Sequence, residues 1–281
     1  MSSEITGIPE KLLTQKAELE QYSIGQRISW AAKRTTTRKE DEAYCLLGLL
    51  EVNMPLLYGE GRMAFRRLQQ LVFDQTADET ILAFQNVFPN PERYTTPELY
   101  SLFAPSVGHF ARHNDYADYA NNGNVEIMHE YRAHCPTLTP WGLKLESSAT
   151  VVEAIVREEK RVATHFVVRL ACDMFCPPDP SLHCYLVLTE FLDPLGPKAP
   201  LRGVFKRTRR SLKRQGTAIC YREPIPYFAG QPEGLVQQYY NARGTRAELR
   251  KLEETENMTF YINVHTDFSD QRRLRETEVV H

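Results

Sequence analysis

The chain has 281 residues, of which 42% are hydrophobic and 25% charged, and its formal net charge is -2. This is the composition of an ordinary globular protein, long enough for one large domain or two modest ones. The balanced charge gives no general reason to expect nucleic acid or an anionic membrane as a partner, and no apolar run is long enough for a transmembrane helix. The amino terminus carries acids and Pro9 where a secretory signal needs an apolar core, so we expect a cytoplasmic protein.

The six cysteines are scattered along the chain, which argues against a disulfide framework. Cys45 lies inside the apolar run AYCLLGLL, where a thiol behaves as a small hydrophobic group. We therefore expect Cys45 to be buried and reduced.

The first predicted elements are helical. A helix is expected from Pro9 until Gly25 interrupts the pattern, and Trp30 then serves as an apolar anchor. Thr37 and Glu40 have capping-box spacing and predict the start of the next helix. That helix would bury the apolar stripe Ala43, Leu46, Leu47 and Leu50 and end before Pro55.

A second helix is predicted from Arg62, after a turn in which Gly59 and Gly61 permit positive backbone dihedrals around Glu60. Its buried face would comprise Met63, Phe65, Leu68, Leu71 and Val72, with Arg66, Arg67, Gln69 and Gln70 mostly outside. We expect Glu60 to act as a helix-cap acid. Two helices cannot bury both apolar faces alone, so a further layer is required, part of which a missing amino-terminal half would supply.

The remainder of the chain changes its periodicity. Thr80 to Phe84 is predicted as a short strand, and residues 89–124 as a connector and surface loop. From residue 125 onward, short β-prone runs follow one another: 143–146, 151–157, 163–172, 184–191, 201–206, 217–222 and 258–264. Residues 235–256 are read either as helix or as a solvated excursion.

The predicted fold class is α+β: an N-terminal helix-loop-helix unit (1–88), the connector (89–124), and a mostly antiparallel β domain of sandwich or barrel type (125–281).

Residues 29–69, SWAAKRTTTRKEDEAYCLLGLLEVNMPLLYGEGRMAFRRLQ, resemble the segment that follows the core of fungal heterokaryon-incompatibility (HET) domain proteins. The family's upstream signature blocks, a Tyr/Leu/Ser-Tyr-x-Trp-Gly stretch and a Trp-x-Asp-x-x-Cys-Ile stretch, do not occur here. The resemblance therefore implies the region C-terminal to a HET core. The motif residues that carry it, with a structural or interaction role, are Trp30, Arg38, Glu40, Asp41, Tyr44, Cys45, Leu46, Gly48, Pro55, Tyr58, Gly59, Glu60, Gly61, Phe65 and Leu68.

Three other residue groups invite a chemical reading. Cys172, Cys176, His183 and Cys184 have the residue types of a zinc site but not its standard spacing, so structural cysteines near a hairpin are favoured. His109 and His113 are read as a surface pair, since no glutamate completes a His-Glu-x-x-His site. The cationic run Lys206, Arg207, Arg209, Arg210, Lys213 and Arg214 is a possible anion patch or nuclear-localisation signal, and a solvated strand edge or loop is the favoured alternative.

The resemblance implies a role in fungal self/non-self recognition and cell death, and a distant relationship to the TIR fold, some of whose members cleave NAD. No catalytic residue or cofactor is assigned, and the nucleotide-binding strands are expected in the absent half. The leading hypothesis is a non-catalytic HET-type portion that binds a partner protein. The alternatives are an NAD-type hydrolase using Glu40, Asp41 or Glu60, and a nucleic-acid adaptor using the basic run, which lacks the interleaved aromatics that would stack on bases.

Overall fold

The computed structural model describes residues 7–84, 102–111, 125–127, 135–140, 142–157, 161–176, 179–190, 217–222, 232–242, 246–262 and 264. The amino-terminal part is helical and the rest is mostly sheet, which confirms the α+β class. The α-helices are α1 (Glu10–Leu13), α2 (Ile24–Ser29), α3 (Asp41–Tyr44), α4 (Leu47–Leu50), α5 (Met63–Thr76) and α6 (Pro232–Ala242). Short 3-10 helices occupy Leu19–Gln21, Glu79–Leu82 and Val107–Phe110.

The segment predicted as one helix is two short helices, α3 and α4. Ala43, Leu46 and Leu50 are buried as predicted, whereas Leu47 is half-buried. The Thr37–Glu40 capping box is wrong, because no side chain caps α3 and Glu40 itself is the N-cap residue. The Glu40 carboxylate instead accepts hydrogen bonds from Gly59 and Gly61 in a distant loop.

Helix α5 begins where the glycine turn predicts, and it buries Phe65, Leu68 and Val72. Two of the burial predictions for α5 are wrong. Met63 is 53% exposed, since it lies two residues from Phe65 and so on nearly the opposite side of the helix. Gln69 is 0% exposed, because its amide pairs with the backbone of Ala104: Nε2 donates to the carbonyl oxygen at 2.9 Å and Oε1 accepts from the N–H at 2.9 Å.

The strand predicted at Thr80 to Phe84 is wrong: the segment forms the 3-10 helix Glu79–Leu82. The Asp78 side chain caps it by accepting from the Thr80 N–H at 2.9 Å, and it also accepts from the Ile24 N–H at 2.9 Å. The buried Glu79 accepts from the backbone N–H of Ala171 at 2.8 Å. These carboxylates tie the end of α5 to α2 and to the sheet.

The described strands are β1 (Val125–Ile127), β2 (Thr137–Thr139), β3 (Gly142–Val156), β4 (Arg161–Cys176), β5 (Asp179–Glu190), β6 (Thr217–Arg222) and β7 (Glu248–Ile262). Their order is β1-β4-β5-β6-β7-β3-β2. A further pairing of β3 with β4 closes the five strands β3, β4, β5, β6 and β7 into a ring. Every pair is antiparallel except β6 with β7. A mostly antiparallel, barrel-like sheet is thus confirmed.

Several predicted strands have different limits. Residues 143–146 and 151–156 belong to the single long strand β3, which has register shifts near Ser147 and Val151, and residue 157 lies beyond its end. The helix reading of residues 235–256 is right for 235–242, which belong to α6, and wrong for 248–256, which belong to β7. Its charged part, ELRKLEETE, is a strand because β3 supplies its backbone partners. The run 201–206 lies outside the described residues.

The two faces of the sheet pack against different helical layers. One face, with Val151 and Phe166, shares a single apolar cluster with α2, α5 and the 102–110 segment. The other, with Val152 and Val167, packs under Leu235 and Tyr240 of α6. The further layer that the helix pair requires is therefore provided by the sheet and by residues 102–110. The boundaries at residues 88 and 124 stay predictions.

Candidate interaction site at the 55–63 loop

The loop between α4 and α5 is held by a carboxylate from the start of α3. Oε1 of Glu40 accepts from the N–H of Gly59 at 2.7 Å and of Gly61 at 3.0 Å. The glycines have φ of +103° and +59°, which confirms the predicted positive dihedrals, and a Cβ at either position would meet open space. The loop thus requires glycine for its backbone conformation and not for room. Hydrogen bonds from the N–H groups of Glu40 itself, Gly61 and Gly59 hold the pKa of Glu40 below its usual value.

A second set of contacts closes the other side of the loop. Arg67 reaches back from α5, and its Nη2 lies 2.5 Å from Glu60 Oε1 and 2.8 Å from the Pro55 carbonyl oxygen. The Tyr44 hydroxyl accepts from the Leu57 N–H at 2.7 Å and lies 3.2 Å from Glu60 Oε1. Glu60 is therefore an ion-pair acid; the helix-cap role is wrong, since α5 has no side-chain cap. We call Glu40, Tyr44, Glu60 and Arg67 the brace.

The outer side of the loop carries an aromatic and cationic stack. Tyr58 packs edge-on against Tyr44 with ring centroids 5.4 Å apart, and the Arg38 guanidinium lies 4.8 Å above the Tyr58 ring. The Tyr58 hydroxyl donates to Asp41 at 3.1 Å, and this bond raises the pKa of Tyr58. Eight of the family-motif residues are thereby brought together: Arg38, Glu40, Asp41, Tyr44, Tyr58, Gly59, Glu60 and Gly61.

The braced loop displays apolar side chains to solvent. Leu56, Leu57, Tyr58 and Met63 are 55%, 53%, 54% and 53% exposed, and they form most of the large exposed hydrophobic residues in the part of the chain that the structure describes. We call these four residues the apolar tip. Neither Leu56 and Leu57 nor Arg67 was predicted to belong to a site. The apolar pair before a double-glycine turn, and an arginine one helical turn beyond its start, are the signals that mark them.

The other family-motif residues have separate structural positions. Leu46, Phe65 and Leu68 lie in the core, and Trp30 is buried with its ring 5.3 Å from that of Tyr22. Gly48 and Pro55 are exposed, and the Pro55 carbonyl accepts from Arg67. The prediction for Cys45 is wrong: its side chain is exposed, because the break between α3 and α4 turns it away from the core.

The remaining chemical candidates do not converge on this loop. Cys172 and Cys184 are buried neighbours on the paired strands β4 and β5, where the hydrogen bond between the two thiols and burial raise the pKa of Cys172. His183 contacts Arg169 at 2.8 Å, and within the described residues no group of three or more metal-binding side chains is found. His109 pairs with the Ser106 hydroxyl at 3.0 Å. His113 and the run Lys206 to Arg214 lie outside the described residues.

A buried polar network lies away from the site, and the sequence did not predict it. His165 on β4 is 1% exposed, and its two ring nitrogens lie 3.0 Å from the Tyr240 hydroxyl and 2.8 Å from the Thr189 hydroxyl. This network links α6 to β4 and β5. A lone histidine in the β-prone run ATHFVVRL gave no signal of it.

The loop's carboxylates are engaged by protein donors. Glu40 holds two loop amides, Glu60 holds Arg67 and Tyr44, and Asp41 holds Tyr58. Carboxylates in such bonds stabilise a loop conformation, whereas proton transfer to a substrate needs an acid or base within reach of it. The arrangement is that of a rigid support under an apolar surface. Among the described helices, none is both long and apolar enough to cross a membrane.

The fold and this site define an α+β protein with a braced, apolar surface loop. In sequence, the chain is 41% identical over 73 residues to Vegetative incompatibility protein HET-E-1 of Podospora anserina. The match covers 26% of this chain and 5% of that relative, so the chain spans a small fraction of the relative's length. No family model matches the chain, and no solved structure matches it. The likeness supports a link to fungal HET proteins, which confirms the predicted resemblance in part.

Proposed function

We propose that the chain is a non-catalytic portion of a HET-type vegetative-incompatibility protein, with an interaction or regulatory role in self/non-self recognition and cell death. The partial identity to a vegetative incompatibility protein supports the HET-related role. The observation that carries the finer proposal is the braced loop, whose acids are bound internally while four apolar side chains face solvent. Its partner is a HET-type signalling protein or a HET core segment.

The state of the carboxylates supports the non-catalytic part of the proposal. Because three backbone amides lower the pKa of Glu40, this group is ionised at neutral pH and has no proton to donate. Glu60 is paired with Arg67 and Tyr44, and its carboxylate could act on a substrate only if these contacts, which hold the loop, were broken. A general acid or base must instead be free to exchange a proton with its substrate.

An NAD assay tests this part directly. Purified protein is incubated with NAD, and nicotinamide release is followed beside a protein-free control. We expect no turnover above that control. Turnover that disappears in Glu60→Gln, and persists when the exposed Glu10 on α1 is changed to glutamine, would establish the hydrolase alternative instead.

A cellular assay tests the interaction role. The chain is expressed in one of two compatible strains of a filamentous fungus, and the viability of fused cells is scored. We expect expression to alter the incompatibility response, and Leu57→Asp to abolish that effect. Leu13→Asp places the same charge at another exposed leucine and serves as the matched control. An unchanged response, or equal effects of both substitutions, contradicts the proposal.

We place this role in the cytoplasm. A fluorescently tagged chain should be excluded from nuclei, whereas nuclear accumulation that disappears when Lys206 to Arg214 are neutralised would favour the nuclear-localisation alternative.

A further inference from the structure

We propose that the apolar tip and the cationic segment beside it form a docking surface for a short acidic peptide segment that carries apolar side chains. This proposal rests on the interaction role above and names its partner class. It follows from the size of the patch, its rigidity and the sign of the charge around it.

The apolar tip has the size of a peptide site. Four side chains that are each about half exposed present on the order of 400 Å², which is the scale of the functional patches found on single proteins. A stable dimer of two globular proteins buries about 800 Å² on each partner. A second copy of this chain would therefore need additional surface, whereas a peptide with two or three apolar anchors would fill the tip.

The brace makes this surface preorganised. Glu40 fixes the backbone at Gly59 and Gly61, and Tyr44 holds both the N–H and the carbonyl oxygen of Leu57 within 2.9 Å. Arg67 fixes the loop at Pro55. The backbone that carries the exposed leucines is thus held in one arrangement before a partner arrives, so binding does not require the loop to be ordered at the same time.

The fully exposed charged residues of the two segments that carry the apolar tip and Arg38 are all cations. In segments 33–42 and 55–63, every exposed charged residue is a cation: Lys33, Arg34, Arg38, Lys39 and Arg62. The four acids of the same segments, Glu40, Asp41, Glu42 and Glu60, are buried or half-buried. Arg38 connects the two regions, because its guanidinium lies over the ring of Tyr58. A partner that covers the tip therefore meets Arg38 beside Tyr58 and Arg62 next to Met63 in the chain, and it is favoured if it is acidic.

The test varies apolar content and charge separately in four fluorescent peptides of one length: acidic with leucines, acidic with serines, basic with leucines and basic with serines. Anisotropy measures their binding to the full chain. We expect the acidic leucine peptide to bind at least about tenfold more tightly than each of the others, and its affinity to fall as salt is raised. Equal affinities, or no binding of any peptide, overturns the proposal.

Variants locate the site. Leu57→Asp and Lys39→Glu should each weaken the acidic leucine peptide by about tenfold or more. Leu13→Asp and Lys11→Glu make the same changes on α1 and should leave its affinity unchanged. Circular dichroism checks that each variant is folded, and the milder Leu57→Ala replaces Leu57→Asp if that variant is not. Affinity that no tip variant changes would also overturn the proposal.

Two competitors separate other classes of partner. Phosphatidylserine vesicles and a single-stranded oligonucleotide share negative charge with the peptide, and the exposed Tyr58 could stack on a base. The peptide assignment is overturned if either competitor binds more tightly than the peptide and that binding is lost in Leu57→Asp. The outcome is independent of the NAD assay: turnover would remove the non-catalytic role, whereas absent peptide binding without turnover would remove only this partner class.

Discussion

Gln69 should be a principal contributor to the stability of the helical region, although its sequence position indicates a surface residue. Its fully buried amide exchanges two hydrogen bonds with the backbone of Ala104, which is itself buried. The substitution Gln69→Leu keeps the approximate size of the side chain but leaves the N–H and the carbonyl of Ala104 without that partner. Each buried group left unsatisfied costs about 1–3 kcal/mol.

The expected magnitude follows from these two groups. Together they cost about 2–6 kcal/mol, and the extra apolar surface of leucine offsets about 1–2 kcal/mol, so the free energy of unfolding should fall by about 3 kcal/mol. Urea denaturation followed by circular dichroism should show a midpoint lower by about 1 M or more. The matched control is Gln70→Leu, one position along the same helix and only half-buried, for which we expect a change within about 0.5 kcal/mol.

A charged variant sharpens the test. Gln69→Glu retains an oxygen for the Ala104 N–H, but its second oxygen faces the Ala104 carbonyl and cannot donate when ionised. The pKa of the introduced acid should therefore rise on folding, so its penalty is present at neutral pH and is relieved as pH falls through the folded-state value. A loss below about 0.5 kcal/mol in Gln69→Leu, with Ala104 still protected in hydrogen exchange, would refute the reasoning.

Three further predictions concern the loop and the cysteines. Gly59→Ala should destabilise the protein by about 1 kcal/mol or more, because alanine is strained at the positive φ of this position. The control is Gly48→Ala in α4, where an added Cβ also meets open space and the change should be neutral or stabilising. Denaturant midpoints of the two variants measure the difference. The lowered pKa of Glu40 adds stability that is present above its unfolded value and lost as pH falls through the folded one. The protection factors of the Gly59 and Gly61 amides, which are exchange rates corrected for the intrinsic pH dependence, should therefore fall on acidification, and Glu40→Gln should remove this change. In native protein, iodoacetamide followed by mass spectrometry should modify the exposed Cys45 and Cys135 before the buried Cys172 and Cys184; equal rates would contradict the burial of the pair.

Local patterns in the sequence were sufficient for the parts that depend on neighbouring residues. The glycine turn at Gly59 and Gly61, the start of α5 and the strand Thr217–Arg222 were predicted correctly. Backbone freedom, helix periodicity and β-branched content are properties of the segment itself, so they can be read without knowledge of the fold. The α+β class follows from the order in which these patterns occur.

Tertiary partners decided the parts that local patterns misjudged. Gln69 is buried because Ala104 lies opposite it, and the charged run ELRKLEETE is a strand because β3 provides its hydrogen bonds. The same holds for Glu40, whose capping-box spacing was real but whose carboxylate found stronger partners in a loop nineteen residues away.

The sequence by itself determined that this is an α+β protein with a HET-like segment, since composition, periodicity and a continuous motif are all local or cumulative properties. Only the tertiary structure decided that Glu40 and Glu60 bind donors of the protein itself, while Leu56, Leu57, Tyr58 and Met63 are exposed to solvent. The physical reason is that a carboxylate is directed by the donors the fold places near it, and those donors come from residues that are distant in the chain.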